Sequence, residues 1–421
     1  MTLSAFGRLR ERLASLDGGQ VRFQALFFAN FAAFSGFAVF RNVYLEEMGL
    51  SGSAMGQIGF LMTATGVAAQ PLWGVVTDYL RAERPVLVLG AVVSGLSLLA
   101  YPVAERLAAP FALLAAGTAV YSAFRAPILP VANGLVLSRG YDYGNVRALG
   151  SIAFGIGSLG FGFLVAALGV SSVVYFYAFG MAVLVLVVLS IPGSSDSPKQ
   201  AGDSGTDGTD DAELSRAARA LVTNYDFLVV LAVGFLVGLS TRGGSAFFSV
   251  YMRAVEARVV AGPWTLTPDA LTGIAWALKT AFEALAFVYA VRLSWSYRSF
   301  LVVGGAAVTL PNLVYGLTAR PWAVVAVQAV GGIGYGLYYV ASVELVHVVA
   351  SDRVTATAQT VFTGLGFGLG GAAGQVVAGE LYDAFGIQRM YVVVAVLGFA
   401  GALVGLFVRQ SGTLGSTDAA T

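Results

Sequence analysis

Six ionisable side chains of this sequence stand in apolar surroundings where a lipid bilayer would give them no water. In WALKTAFEALAF (276–287), Lys279 and Glu283 lie one helical turn apart in a run that is apolar but for one threonine. Arg125 stands just before Pro127 and Pro130 in SAFRAPILPVANGL, Arg242 is flanked by glycines in GLSTRGGSAFF, and Glu344 and His347 are three residues apart in VASVELVHVVA. An ionised group at bilayer depth costs about 2.5 kcal/mol or more, so such residues face a cavity or a partner. Desolvation and a neighbouring cation act in opposite senses on a buried carboxyl group, which suits Glu283 to binding and releasing a proton. Alternatively, Lys279 and Glu283 at i,i+4 neutralise each other permanently.

The same choice arises at the other charges. The two prolines after Arg125 remove backbone donors and bend the helix, and broken helices commonly line a binding cavity. There Arg125 meets a solute's carboxylate or hydroxyls, or else a fixed carboxylate of the protein. Arg242 either lines the same cavity or reaches out to the interface along its apolar stem. His347 is the one histidine of the chain, a type that titrates near pH 6.5 when unperturbed, at about that value. With Glu344 it forms either a proton-coupling pair or a gate near the inner surface, and the short distance to Arg353 favours the gate.

The elements that must position these residues follow from composition. Hydrophobic residues make up 57% of the 421 and charged ones 11%, with mean hydropathy +0.78, against about 25% charged in soluble domains. This is an integral membrane protein. A net charge of +1 leaves no basic excess for nucleic acid. Without cysteine and with one histidine, there is no disulfide framework, thiolate nucleophile or multi-histidine metal site, so no metal, cofactor or enzymatic activity is expected.

At about 20 apolar residues per crossing, twelve helices are predicted, near 22–47, 53–78, 84–104, 110–137, 144–168, 172–191, 226–254, 268–292, 297–317, 321–349, 354–380 and 388–408. A Gly/Ser/Asp-rich stretch, 192–219, divides six from six. The expected organisation is an N-terminal six-helix half (1–191), a cytoplasmic linker (192–222) and a C-terminal six-helix half (223–421). With the N-terminus inside, fifteen Lys and Arg fall on the cytoplasmic side and six, Arg41 among them, on the outer side, which predicts both termini cytoplasmic in a plasma-membrane protein. Residues 1–21 read as an amphipathic helix on the inner face. RPVLVLG (84–90) and RSFLVVG (298–304) are 214 apart, and FGIG (154–157) and FGLG (367–370) are 213 apart, as a duplicated six-helix unit would give.

PLWGVVTDYLRAERPVL (71–87) resembles the signature between helices 2 and 3 of the major facilitator superfamily, with Gly74, Asp78, Arg81 and Arg84 in the positions of its gating motif. NVYLEEMGLSGSAMGQIGFL (42–61), YGNVRALGSIAFGIG (143–157), TAFEALAFVYAVRL (280–293) and RVTATAQTVFTGLGFGLGGAAGQ (353–375) resemble the branch containing phenylpropionate permeases, with lactose permeases and nucleoside:proton symporters as more distant relatives. That resemblance implies an all-α membrane fold of twelve helices in two halves. It places Glu283 at the branch's helix 8 glutamate, and Asn133 where the branch often has an acid. Fold does not fix substrate.

The glycines at 364, 366, 368, 370, 371 and 374 read as small-residue helix packing. A phosphate-binding loop would need a following Lys-Ser/Thr element that is absent. The expected function is secondary active transport of a small organic solute, an organic anion, nucleoside or sugar, by alternating access in symport with protons. Glu283, Glu344 and His347 are the candidate coupling residues, and Arg125, Arg242, Lys279 and Asn133 the candidate solute ligands. The alternative is an uncoupled facilitator or exporter. Partners are the solute, protons and the lipid bilayer, with the protein acting as a monomer.

Overall fold

A computed structural model describes residues 18–80, 82–192, 216, 219–290, 292–351, 354–410 and 412. Among them are twelve helices long and apolar enough to cross a membrane: α1 (Gly18–Glu47), α2 (Gly52–Thr77), α3 (Glu83–Ala104), α4 (Phe111–Ser138), α5 (Tyr143–Leu168), α6 (Ser172–Ser190), α7 (Tyr225–Ala254), α8 (Pro268–Ala290), α9 (Tyr297–Leu317), α10 (Pro321–Val349), α11 (Thr357–Phe385) and α12 (Ile387–Phe407). The predicted spans agree to about a helical turn, the largest difference being α11, which continues to Phe385. The amphipathic helix expected over 1–21 and most of the linker lie outside the described residues.

Three departures from regular helix are set by sequence. α4 breaks between Phe111–Arg125 and Ile128–Ser138, because Pro127 and Pro130 cannot donate to the preceding turn. Arg125 therefore ends a helical segment at the break. In α11 a π-helical stretch, Phe362–Leu369, separates Thr355–Val361 from Gly370–Phe385. Between α7 and α8, β1 (Val259–Ala261) and β2 (Trp264–Leu266) form an antiparallel hairpin turning through Gly262 at φ 62°. Neither the π-helical stretch nor the hairpin was expected.

The internal repeat has a structural counterpart. A Cβ on Gly90 of α3 would meet Phe124 O of α4 at 2.7 Å, and one on Gly304 of α9 would meet Tyr338 N of α10 at 2.7 Å. Likewise Gly157 of α5 lies against α1 and Gly370 of α11 against α7. Equivalent glycines thus permit equivalent helix contacts.

Packing differs between the two ends of the bundle. At the end formed by the α1–α2 turn, Arg253 bridges Glu47 and Asp269, Tyr382 donates to Glu46 Oε1 at 2.9 Å, and Asp383 accepts from Gly52 N at 2.6 Å and Ser53 N at 2.8 Å. α5 and α8 also close here, where a Cβ on Gly162 would meet Gly273 Cα at 2.9 Å. At the linker end, Arg139 Nη2 donates to Pro192 O at 2.7 Å, Arg298 Nη2 to Val408 O at 2.6 Å and Gln359 Nε2 to Val343 O at 2.7 Å. Each of those bonds stays within its own group of six helices. Among the described residues, every side-chain hydrogen bond joining α1–α6 to α7–α12 lies toward the turn end. One apolar core, with Phe37, Tyr101, Tyr177, Tyr251 and Tyr391, spans both groups at that end, while a second, with Phe227, Phe300, Tyr338 and Phe362, belongs to the later helices alone. The bundle is a wedge, closed at the turn end and parted at the linker end.

Candidate functional site

Between the two groups of helices lies a cavity of about 580 Å³. Its walls come from α1, α2, α4 and α5 on one side and α7, α8 and α11 on the other. Aromatic faces are supplied by Phe34, Phe154, Trp276 and Phe367, and polar groups by Thr63, Gln70, Ser122, Asn133, Ser245 and Gln375. Phe154 and Phe367 open the repeated FGIG and FGLG motifs, so the repeat sets one ring on each wall. Three guanidinium groups, of Arg41, Arg125 and Arg242, also line the cavity, and among the described residues no carboxylate does.

Arg41 forms the roof toward the turn end. It is 6% exposed, and all its hydrogen bonds go to uncharged groups: Nε to Asn42 Oδ1 at 3.0 Å, Nη1 to Met62 Sδ at 3.2 Å and Nη2 to Gln375 Oε1 at 2.9 Å. Gln375 in turn donates to Gly59 O and Thr63 Oγ1, each at 3.2 Å. α11 is thereby fastened to α1 and α2 through one amide side chain. Sequence reasoning assigned Arg41 to the outer surface and did not single out Gln375. Phe34, Ala38 and Arg41, at i, i+4 and i+7, share one helical face and all three line the cavity. That spacing was the missed signal.

Of the expected solute ligands, Arg125, Arg242 and Asn133 are in the wall. The Arg125 guanidinium lies 3.7 Å from the centroid of the Phe34 ring, a cation–π contact. Its Nε and Asn133 Oδ1 are buried without hydrogen-bond partners. Arg242 is exposed to the open cavity, and its stem rests against Gly371 of α11.

Lys279 lies behind this wall, in a separate space of about 20 Å³ with Asn312 and Gln328, its ammonium 4.8 Å from the Trp276 ring centroid. Glu283, half-buried, is outside the cavity lining. Although Lys279 is its neighbour by sequence, no ion pair within 4.0 Å joins them. The fields of Lys279, Arg242 and Arg147 all reach Glu283. α10 presses on this turn of α8, where a Cβ on Gly332 would meet Glu283 N at 3.0 Å.

Glu344 and His347 lie toward the linker end of α10, away from the cavity, with Glu344 half-buried and His347 exposed. The structure does not bring them to Glu283. Within the α2–α3 motif, a Cβ on Gly74 would meet nothing within 4 Å, so the close helix approach expected there is not made. Arg84 donates to Leu189 O, joining α3 to the end of α6. The Asp78 side chain and Arg81 lie outside the described residues. The glycines of α11 divide by face: Gly366, Gly370 and Gly374 pack on α7, whereas Gly364 has open space beside it and Gly368 only Val67 and its own helix. The expected close packing therefore holds for Gly366/Gly370 and Gly370/Gly374 and does not extend to Gly364/Gly368.

Residues 20–393 match the MFS_1 like family. A protein named maltose permease, from Geobacillus stearothermophilus, is 27% identical over 395 residues, which cover 92% of this chain and 94% of that protein. Among solved structures, the nucleoside transporter NupG superposes with a TM-score of 0.76 at 17% identity, covering 92% of this chain and 99% of that one. A bacterial homologue of the human lysosomal transporter Spinster, described as inward-facing and unoccupied, gives a TM-score of 0.69 at 14% identity, with 92% of this chain and 96% of that one covered.

Proposed function

The chain belongs to the MFS_1 like family, a multi-pass membrane transporter of small solutes, and from that premise we propose that it moves an organic solute by alternating access in symport with protons. The observation that carries this reading is the wedge. A cavity walled by both groups of helices, closed by hydrogen bonds at one end and parted at the other, is what one state of a rocking-bundle carrier requires. The halves that rock are 1–191 and 223–421, joined by the linker 192–222. Arg41 is buried in the roof and leaves the outer count of basic residues, which widens the inside excess and supports cytoplasmic termini. The parted end is then the inner one, and a monomer in the plasma membrane suffices for the cycle.

In this scheme Arg125, Arg242 and Asn133 contact the solute. Glu283 carries the proton: it stands one helical turn from Lys279, outside the cavity lining, and has no ion pair among the described residues. Lys279 modulates it through Trp276, which borders both spaces. Glu344 and His347 act at the inner gate, with the Gly74–Arg84 motif. The named relatives handle a sugar and nucleosides, and the motifs at 42–61, 143–157, 280–293 and 353–375 add their resemblance to the phenylpropionate permease branch. Proteoliposomes loaded with a pH dye test the coupling. Solute addition is expected to acidify the lumen; solute entry without proton movement would establish the second reading, an uncoupled facilitator, which the position of Glu283 outside the cavity lining favours.

A further inference from the structure

We propose that Arg41, Arg125 and the Tyr121 hydroxyl form a binding site for an acidic group, and that the solute is an organic carboxylate. This rests on the transport reading for the cavity's role and adds the class of molecule that fills it.

Arg41 is a buried cation whose hydrogen-bond partners are all neutral. An arginine has five N–H donors and keeps its proton in proteins. Three of the five are engaged, one on each nitrogen, which leaves one N–H on each terminal nitrogen to donate to an added acceptor. The ionisable groups whose fields act on Arg41 are the phenols of Tyr101 and Tyr121. No carboxylate is among them. The field of Arg242 reaches Glu283, whereas Glu283 is not among the groups acting on Arg41.

Tyr121 connects the two cations. It is 1% exposed and borders the cavity; the Tyr177 hydroxyl, which donates to Ser94 Oγ, stands beside both Tyr121 and Arg125, but no partner engages the Tyr121 Oη in full hydrogen-bond geometry. The fields of both Arg41 and Arg125 reach that hydroxyl. Arg125 Nε is likewise buried and unpartnered. Buried donors around two cations that no carboxylate among the described residues pairs are costly unless something supplies an acceptor. A carboxylate supplies two oxygens and one negative charge. Sugar hydroxyls or a nucleoside offer acceptors without charge, so they satisfy the donors and leave both cations uncompensated. The adjoining Phe34, Phe154 and Phe367 rings give the acid's apolar body a surface to lie on.

Thermal unfolding of the purified full-length protein in detergent tests this site without requiring transport. The probes are acetate, hexanoate, benzoate, phenylacetate and succinate, each against its own amide, with maltose, uridine and glucose 6-phosphate alongside. At least one acid is expected to stabilise the protein where its amide does not. Arg41→Gln should weaken that acid's affinity about tenfold or more, the worth of a charge-assisted pair of hydrogen bonds. Tyr121→Phe, which removes one oxygen and preserves the packing, should weaken it several-fold and serves if Arg41→Gln does not fold. The site is refuted if no acid exceeds its amide, if maltose, uridine or the phosphate ester is the better ligand, or if both variants bind the acid as the wild type does. An acid that binds by these criteria yet is not exchanged across proteoliposomes would overturn the transport reading and leave the site standing.

Discussion

The roof around Arg41 and the middle of α8 both hold charge at membrane depth, and they hold it in opposite ways. Arg41 is fixed by three hydrogen bonds to α1, α2 and α11. Lys279 and Glu283 have neither an ion pair nor a hydrogen bond to each other, although they stand one turn apart. A fixed cation without a counter-ion is suited to reading a ligand, since its geometry is prepaid and its charge unspent. Uncommitted charges respond to whatever occupies the neighbouring space, which suits a proton site. Recognition and coupling are thus assigned to different helices, with Trp276 and Ser245 bordering both spaces.

The largest effect that would break this division comes from packing. In Gly332→Leu the new side chain drives α10 off the turn bearing Lys279 and Glu283, an overpacking expected to cost about 1–3 kcal/mol. Thermal unfolding should show the loss, and uptake should fall by an order of magnitude; unchanged uptake would make the geometry of that turn irrelevant. Gln375→Leu removes the acceptor of Arg41 and the donor to Gly59 O and Thr63, worth about 1–3 kcal/mol of closure at the turn end. Because the chain has no cysteine, a single Met62→Cys reports on the roof, and a maleimide should label it several-fold faster in the Gln375→Leu background. Equal labelling would mean that the roof is closed by other contacts.

Smaller effects sharpen the same contrast. Asp383 caps the start of α2 from across the interface with one oxygen on each of two N–H groups, and Asp383→Asn should loosen the turn end by about 0.5–2 kcal/mol, because the amide oxygen keeps one bond while its NH2 cannot accept the other. The Met62→Cys labelling rate should rise less than with Gln375→Leu. Lys279→Ala should move the pH midpoint of uptake, since the field of Lys279 reaches Glu283. An unmoved midpoint would show that the two charges act independently.

Hydropathy made the twelve helices legible, and the α4 break was legible from Pro127 and Pro130. The hairpin at 259–266 escaped because VVAGPWTL has too few residues to show alternation beside long apolar runs. The π-helical stretch in α11 uses the same glycines and apolar residues as ordinary helix, so composition carries no mark of it. Among the site residues, Glu283 and Lys279 were conspicuous because charge interrupts an apolar run. Arg41 was less so: it stands within the last turns of the helix predicted to end at 47 and was counted with the outer side, and its place in the roof shows only when α11 is laid against α1 and α2. Gln375, uncharged among glycines, becomes visible only when α11 is laid against α2.

Transport by proteoliposomes carrying Glu283→Gln or Arg41→Gln, with wild type in parallel, tests the division of roles most directly. Labelled solute that exchanges at equilibrium needs recognition alone, whereas accumulation against a gradient needs the proton. Glu283→Gln is expected to exchange solute at close to the wild-type rate and to lose proton-driven accumulation; Arg41→Gln is expected to lose both. Proton-driven accumulation that survives in Glu283→Gln would contradict the account.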